Sequence, residues 1–126
     1  LVELKKTWRL AIVTSKPEPQ ALIAIQATGV RHYFDIVVGP HDDSEIPKAQ
    51  LLQRALREMN ELHGELPPLT SCWMIGDRHH DIDAGVEVGT HTAGVLWGVG
   101  SREELSSAGA TAIVETPQDL VAVLNN

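Results

Sequence analysis

Two aspartates four residues apart, Asp77 and Asp81, follow directly on an apolar run, Cys72-Trp73-Met74-Ile75. Two adjacent hydroxyls, Thr14 and Ser15, follow another, Leu10-Ala11-Ile12-Val13. A lysine, Lys48, stands beside Pro47 between them in the chain. Carboxylate oxygens suit Mg2+, which proteins usually hold through one or two carboxylates together with water and phosphate. A lysine and a hydroxyl, with nearby backbone N–H groups, can hold phosphoryl oxygens. Without the lysine, metal, carboxylates and phosphate would leave net negative charge in a partly dry cleft, which is costly. These residue types therefore point to a phosphate ester bound together with a divalent cation.

Such groups act together only if a scaffold gathers them, and the pattern around them predicts one. Leu10-Ala11-Ile12-Val13 is apolar and rich in β-branched residues, the signature of a strand buried on both faces. Pro19 suits a first helical turn, and Gln20 to Thr28 supplies a helix closed by Gly29. Phe34 to Gly39 reads as a second strand. Pro47 opens a helix whose stripe of Leu51, Leu52, Ala55, Leu56 and Met59 runs to about Leu62. Gly64 to Pro68 is a loop, Cys72 to Ile75 a third strand, Asp81 to Val88 a short helix ending at Gly89, and Thr92 to Leu96 a fourth strand. Ser101-Arg102-Glu103-Glu104 has capping-box spacing, and Gly109 ends that helix. Ala112 to Val114 is a small fifth strand, and Thr116-Pro117 opens a last helix. Strand and helix alternate throughout. The fold class expected is therefore α/β, a doubly wound parallel sheet with helices on both faces. In such sheets ligands gather beyond the carboxyl ends of the strands, so Thr14, Ser15, Lys48, Asp77 and Asp81 are all expected to face one cavity.

Composition bounds the partners. The 126 residues are 43% hydrophobic and 21% charged, ordinary for a globular domain, and no repeat or linker divides them. A net charge of −7 argues against nucleic acid or an anionic membrane surface, both of which need clustered lysine and arginine. No apolar run approaches the ~20 residues of a membrane span. A single cysteine makes an internal disulfide impossible, and a reducing cytoplasm is the expected location.

The order of these segments resembles the later part of a haloacid-dehalogenase-superfamily phosphatase of the phosphoglycolate-phosphatase-like type. Leu10 to Pro17 is similar to the family's second motif, a strand ending in Thr or Ser that binds phosphate. Lys48 in Pro47-Lys48-Ala49-Gln50 is similar to the third-motif lysine, which contacts the phosphate and the nucleophile; many members have Lys-Pro where this chain has Lys-Ala. Met74 to Ile82 resembles the fourth motif, Gly-Asp-x-x-x-Asp. The resemblance implies that Asp77 ligates Mg2+, that Asp81 supports the site from behind, and that the substrate is a small phosphorylated metabolite. Ala84-Gly85, Gly94-Val95 and Glu104 to Ala110 match the family's usual continuation.

The family's first motif, Asp-x-Asp, does not occur before Thr14. In the family its first aspartate attacks phosphorus and its second is the general acid/base. This chain thus carries the electrostatic half of the site without the covalent half. The family's cap domain, between the first and second motifs, has no counterpart either. Residues 1–126 are accordingly expected to be one partial core segment of a longer protein and, alone, to have no turnover. The first-motif strand lies in the family between the strands ending here at Thr14 and Asp77. Its absence is expected to leave two unpaired edges, across which two copies can dimerise. Two alternatives stay open: phosphotransfer of a kinase-like kind on the same scaffold, and a non-catalytic regulatory or protein-binding domain.

Other residues read more plainly. His79 and His80 are adjacent, are expected to point in different directions, and have no further ligand at zinc spacing, so they are read as solvated loop residues. Asp83 is expected to point outward. Cys72 reads as an inert core residue inside a strand, and Trp73 and Trp97 as packing residues near strand ends. Gly94, Gly98 and Gly100 lack the spacing of a dinucleotide-binding loop.

Overall fold

The computed structural model describes residues 1–42, 44–65 and 67–125. They form two compact units, Leu1–Leu66 and Pro67–Asn126. Leu66, in the predicted Gly64 to Pro68 loop, lies outside the described residues.

In the first unit, α1 (Val2–Thr7) leads into β1 (Ala11–Val13), α2 (Glu18–Thr28), a 3-10 turn (Arg31–Tyr33), β2 (Ile36–Val38) and α3 (Lys48–His63). β1 and β2 are parallel, with Ala11 opposite Ile36 and Val13 opposite Val38. Thr14 N–H donates to Val38 O at 2.9 Å, which carries the ladder one residue beyond β1. The apolar stripe of α3 buries Leu51, Leu52, Ala55 and Met59. Leu51 and Ala55 pack on Val38, with Val13, Ile36 and Ile46 around them. α1 was not expected: six residues are too few to show a helical period or to hold a helix alone. Leu4 is buried, and Lys5 pairs with Asp35 at 3.1 Å.

In the second unit, a 3-10 turn (Leu69–Ser71) precedes β3 (Trp73–Gly76), α4 (His79–Val88), β4 (His91–Val95), α5 (Arg102–Ser107), β5 (Ala112–Val114) and α6 (Pro117–Leu124). The strands are parallel in the order β3-β4-β5. Met74, Ile82, Ala93, Leu105, Val114, Leu120 and Leu124 are all buried. α4 lies close on the sheet because Gly85 has no side chain; a Cβ there would sit 2.3 Å from Thr92 Cγ2. Buried Thr92 is satisfied by a reciprocal pair in which each of Thr92 and Thr111 gives its N–H to the other's hydroxyl at 3.0 Å.

The parallel α/β architecture is as the sequence predicts. Gly29 closes α2, Gly64 closes α3 and Gly89 closes α4, at φ of 76°, 82° and 103°. β1 and β3, the strands placed by the family resemblance on either side of the first-motif strand, fall in separate sheets. Among the described residues each has a single strand partner, β2 and β4 respectively. Among those residues, no helix is long and apolar enough to cross a membrane.

Candidate functional site

In the first unit Thr14 and Ser15 follow the carboxyl end of β1. The Thr14 hydroxyl accepts the Lys16 N–H at 3.1 Å and turns the chain sharply there. Gly39, one residue past β2, lies against this turn. A Cβ at Gly39 would stand 2.6 Å from Lys16 O and 3.2 Å from Thr14 Cγ2, so only glycine lets the two strand ends approach. Glu18 fixes the same region: its N–H donates to Pro40 O at 2.7 Å, and its carboxylate accepts from Gly39 N and from Arg54 of α3. Ser15 is exposed and Thr14 half-buried. Lys48 is the first residue of α3, half-buried, behind Pro47 as N-cap. This unit therefore contains the hydroxyl pair at a strand end and the lysine at the start of a helix that packs on that strand.

In the second unit Asp77 is the first residue past β3. Its Oδ2 accepts the Val99 N–H at 2.9 Å, and its backbone carbonyl accepts the Gly100 N–H at 2.9 Å. The loop after β4 thus folds over Asp77, and its glycines make room. A Cβ at Gly98 would lie 2.3 Å from both Cβ and Oδ2 of Asp77, and one at Gly100 would lie 2.1 Å from Asp77 O. Among the described residues, Oδ1 of Asp77 accepts no hydrogen bond. Asp81, the third residue of α4, packs on Gly76, where a Cβ would fall 2.2 Å from the Asp81 Cβ and Oδ2. The spacing of four therefore puts Asp81 back against the strand end that Asp77 follows.

α4 starts at His79, two residues before the predicted start at Asp81. The reason is remote in sequence. Glu104, from α5, accepts the His79 N–H at 2.8 Å and Arg78 Nε at 2.9 Å, and so caps the helix early. Arg78 and the His79 amide hold the Glu104 carboxyl below its ordinary range. Ser101 accepts the Glu104 N–H at 3.1 Å, the expected half of its capping box, but the Glu104 carboxylate is turned to α4. Sequence reasoning missed Glu104, Gly98 and Gly100 as parts of this region. The only signal was the two glycines flanking Val99.

The histidines differ from expectation. The His79 and His80 rings lie in contact, with centroids 3.9 Å apart, and His79 Nδ1 pairs with exposed Asp83 at 3.1 Å. Trp73 is half-buried against His91, but Trp97 is 49% exposed rather than packed. Cys72 is not a core strand residue as expected: it precedes β3 and is only half-buried, and that burial pushes its thiol pKa up.

A cation would fit the donor set of Asp77 only in part. Its Oδ1 is a hard oxygen of the kind Mg2+ takes. Among the described residues no group of three or more His, Cys, Asp or Glu is arranged to hold a metal by itself.

A family model described as haloacid dehalogenase-like hydrolase matches residues 1–95. Pyrophosphatase PpaX of Bacillus cereus is 32% identical over 126 residues, covering 98% of this chain and 56% of the relative. A structure of a predicted phosphatase from Clostridium acetobutylicum superposes with a TM-score of 0.84 at 28% identity, over 95% of this chain and 53% of the other. Protein Tyrosine Kinase A of Mycobacterium tuberculosis superposes with a TM-score of 0.77 at 27% identity, over 99% of this chain and 57% of the other. The chain thus spans about half the length of the relatives it matches.

Proposed function

This chain belongs to the haloacid dehalogenase-like hydrolase family, and we propose that it supplies the phosphate- and cation-binding half of a Mg2+-dependent phosphohydrolase working through a phospho-aspartate. Thr14, Ser15 and Lys48 take the phosphoryl oxygens, Asp77 takes the cation, and Asp81 backs the strand end that presents Asp77. The attacking aspartate belongs to a segment beyond these 126 residues. The observation that supports the reading is Asp77 itself: one oxygen is fixed by the Val99 N–H on a loop with two glycines, and among the described residues the other accepts no hydrogen bond.

Each group has a separate task. The Thr14 hydroxyl already accepts the Lys16 N–H, which orients its own O–H for donation to a phosphoryl oxygen. Lys48 adds a positive charge at the start of α3, where it offsets the charge of carboxylate and phosphate. A cation held by Asp77 would polarise the phosphoryl oxygens. The substrate class is a small phosphorylated metabolite, and the likeness to a pyrophosphatase adds inorganic pyrophosphate to the candidates. Phosphoryl transfer to another acceptor is the second reading. It is favoured by the likeness to Protein Tyrosine Kinase A and allowed by the chemistry, because a phospho-aspartate is open to nucleophiles besides water.

The test is Mg2+-dependent phosphate release from small phosphomonoesters and pyrophosphate by the full-length protein and its Asp77→Asn variant. Release is expected to fall by at least about 100-fold in the variant, the scale for losing one group that stabilises charge at a reacting centre. Equal rates for both proteins would overturn the reading. The 126-residue chain alone is expected to release no phosphate.

A further inference from the structure

Glu104 joins the two loops at the Asp77 end of the second unit. Its Oε2 accepts the His79 N–H at 2.8 Å and Arg78 Nε at 2.9 Å. His79 opens α4, a ten-residue helix whose N-cap, Arg78, makes no side-chain cap. The carboxylate therefore serves the His79 N–H, a group with no partner within the helix, and it meets the positive end of the helix dipole. Glu104 is anchored in turn by Ser101, which starts α5. Between these ends runs the loop whose Val99 and Gly100 N–H groups bind Asp77. A Cβ at Gly100 would lie 3.2 Å from Glu104 Oε2 and 2.1 Å from Asp77 O, so carboxylate, loop and Asp77 are packed together.

We propose that Glu104 is a positioning residue for Asp77. By clamping the start of α5 to the start of α4, it sets where the Val99 N–H meets Asp77 Oδ2, and so which carboxylate oxygen remains for a cation. A half-exposed ion pair between Glu104 and Arg78 would by itself do little. The bond to the His79 main chain is what makes the contact a clamp rather than a surface pair. The proposal rests on the reading of Asp77 as the cation ligand.

The experiment is Mg2+ titration of the 15N-labelled full-length protein by NMR, following the Val99 and Gly100 amides, in wild type and in Glu104→Gln, Glu104→Asp, Glu104→Ala and Asp77→Asn. Glutamine keeps the length and an acceptor oxygen for His79 N–H. Aspartate keeps the charge but is one methylene too short. The clamp predicts that Gln stays near wild type, while Asp and Ala move the Val99 amide, speed its hydrogen exchange and weaken Mg2+ roughly tenfold, as losses behind a metal ligand do. A purely electrostatic role predicts the reverse order, with Asp better than Gln, and that order overturns the proposal. Unchanged Val99 resonances and Mg2+ affinity in Glu104→Asp also overturn it, and this comparison stands even if the alanine variant does not fold. If Asp77→Asn binds Mg2+ as wild type does, the cation reading itself has failed. The Val99 amide then decides alone: displaced by Glu104→Asp, the clamp stands; unmoved, it falls.

Discussion

Replacing Gly98 by alanine would put a methyl carbon 2.3 Å from Asp77 Cβ and Oδ2 and 2.6 Å from Cγ. Carbon atoms rest about 3.5–4.0 Å apart, so the overlap exceeds an ångström, and Asp77 Cβ is fixed to the backbone and cannot swing away. Forced packing of this kind costs about 1–3 kcal/mol. Gly98 is exposed, so the loop can back off, and the cost should fall near the low end. Backing off draws the Val99 N–H away from Asp77 Oδ2, which forfeits a hydrogen bond to a charged acceptor. Gly85→Ala is the contrast. Its Cβ would lie 2.3 Å from Thr92 Cγ2 and 3.0 Å from Met74 Cβ, in a buried contact with no room to move, so its cost should reach the upper end. Urea denaturation followed by tryptophan fluorescence should therefore rank Gly85→Ala as the more destabilised, while Mg2+ affinity ranks Gly98→Ala as the more damaged. The decisive variant is Asp77→Gly, which removes every Asp77 atom the new methyl would strike apart from the backbone. In that background Gly98→Ala should cost under about 0.5 kcal/mol, a coupling of about 0.5 kcal/mol or more. Equal costs in both backgrounds would refute the packing argument.

Burial would raise the pKa of Asp35, but hydrogen bonds and charge from Lys5 and His63 outweigh it, and the net shift is below the ordinary 3.8. The folded pKa is thus the lower one, so the stability Asp35 contributes is complete above 3.8 and is lost as pH falls through the folded value. Asp35→Asn should flatten that acid-side decline in pH-dependent melting, and an unchanged slope would count against the Lys5–Asp35–His63 cluster. Gly29→Ala and Gly64→Ala meet nothing within 4 Å, so each should cost only the left-handed backbone penalty of about 1–2 kcal/mol and leave Mg2+ affinity unchanged. Arg54→Ala strips partners from Glu18 and Glu58; because Glu18 is three-quarters covered, denaturation should register a loss of about 1–3 kcal/mol, and a neutral variant would show that this pair holds nothing.

The sequence by itself determined the alternation of strands and helices, the helix ends at Gly29, Gly64 and Gly89, the caps Ser101 and Thr116, and the position of Asp77 past an apolar strand, of which only Met74 is buried. Each of these is set by neighbours within a few residues: a positive φ that glycine tolerates, a hydroxyl in reach of an N–H three positions on, a period that repeats along one face. The tertiary structure alone decided what those groups touch. Nothing near His79 in sequence announces that its helix will be capped by Glu104, 25 residues on, nor that Glu18 will hold Arg54, 36 residues away. Gly98 and Gly100 looked like a failed nucleotide loop until the parallel register of β3 and β4, with Gly76 opposite Gly94, brought their loop over Asp77. A carboxylate's partners depend on which strand ends the register sets side by side, and that register is fixed by burying Met74 and Thr92 on one face of the sheet and Ala93 and Val95 on the other rather than by any local pattern around the carboxylate.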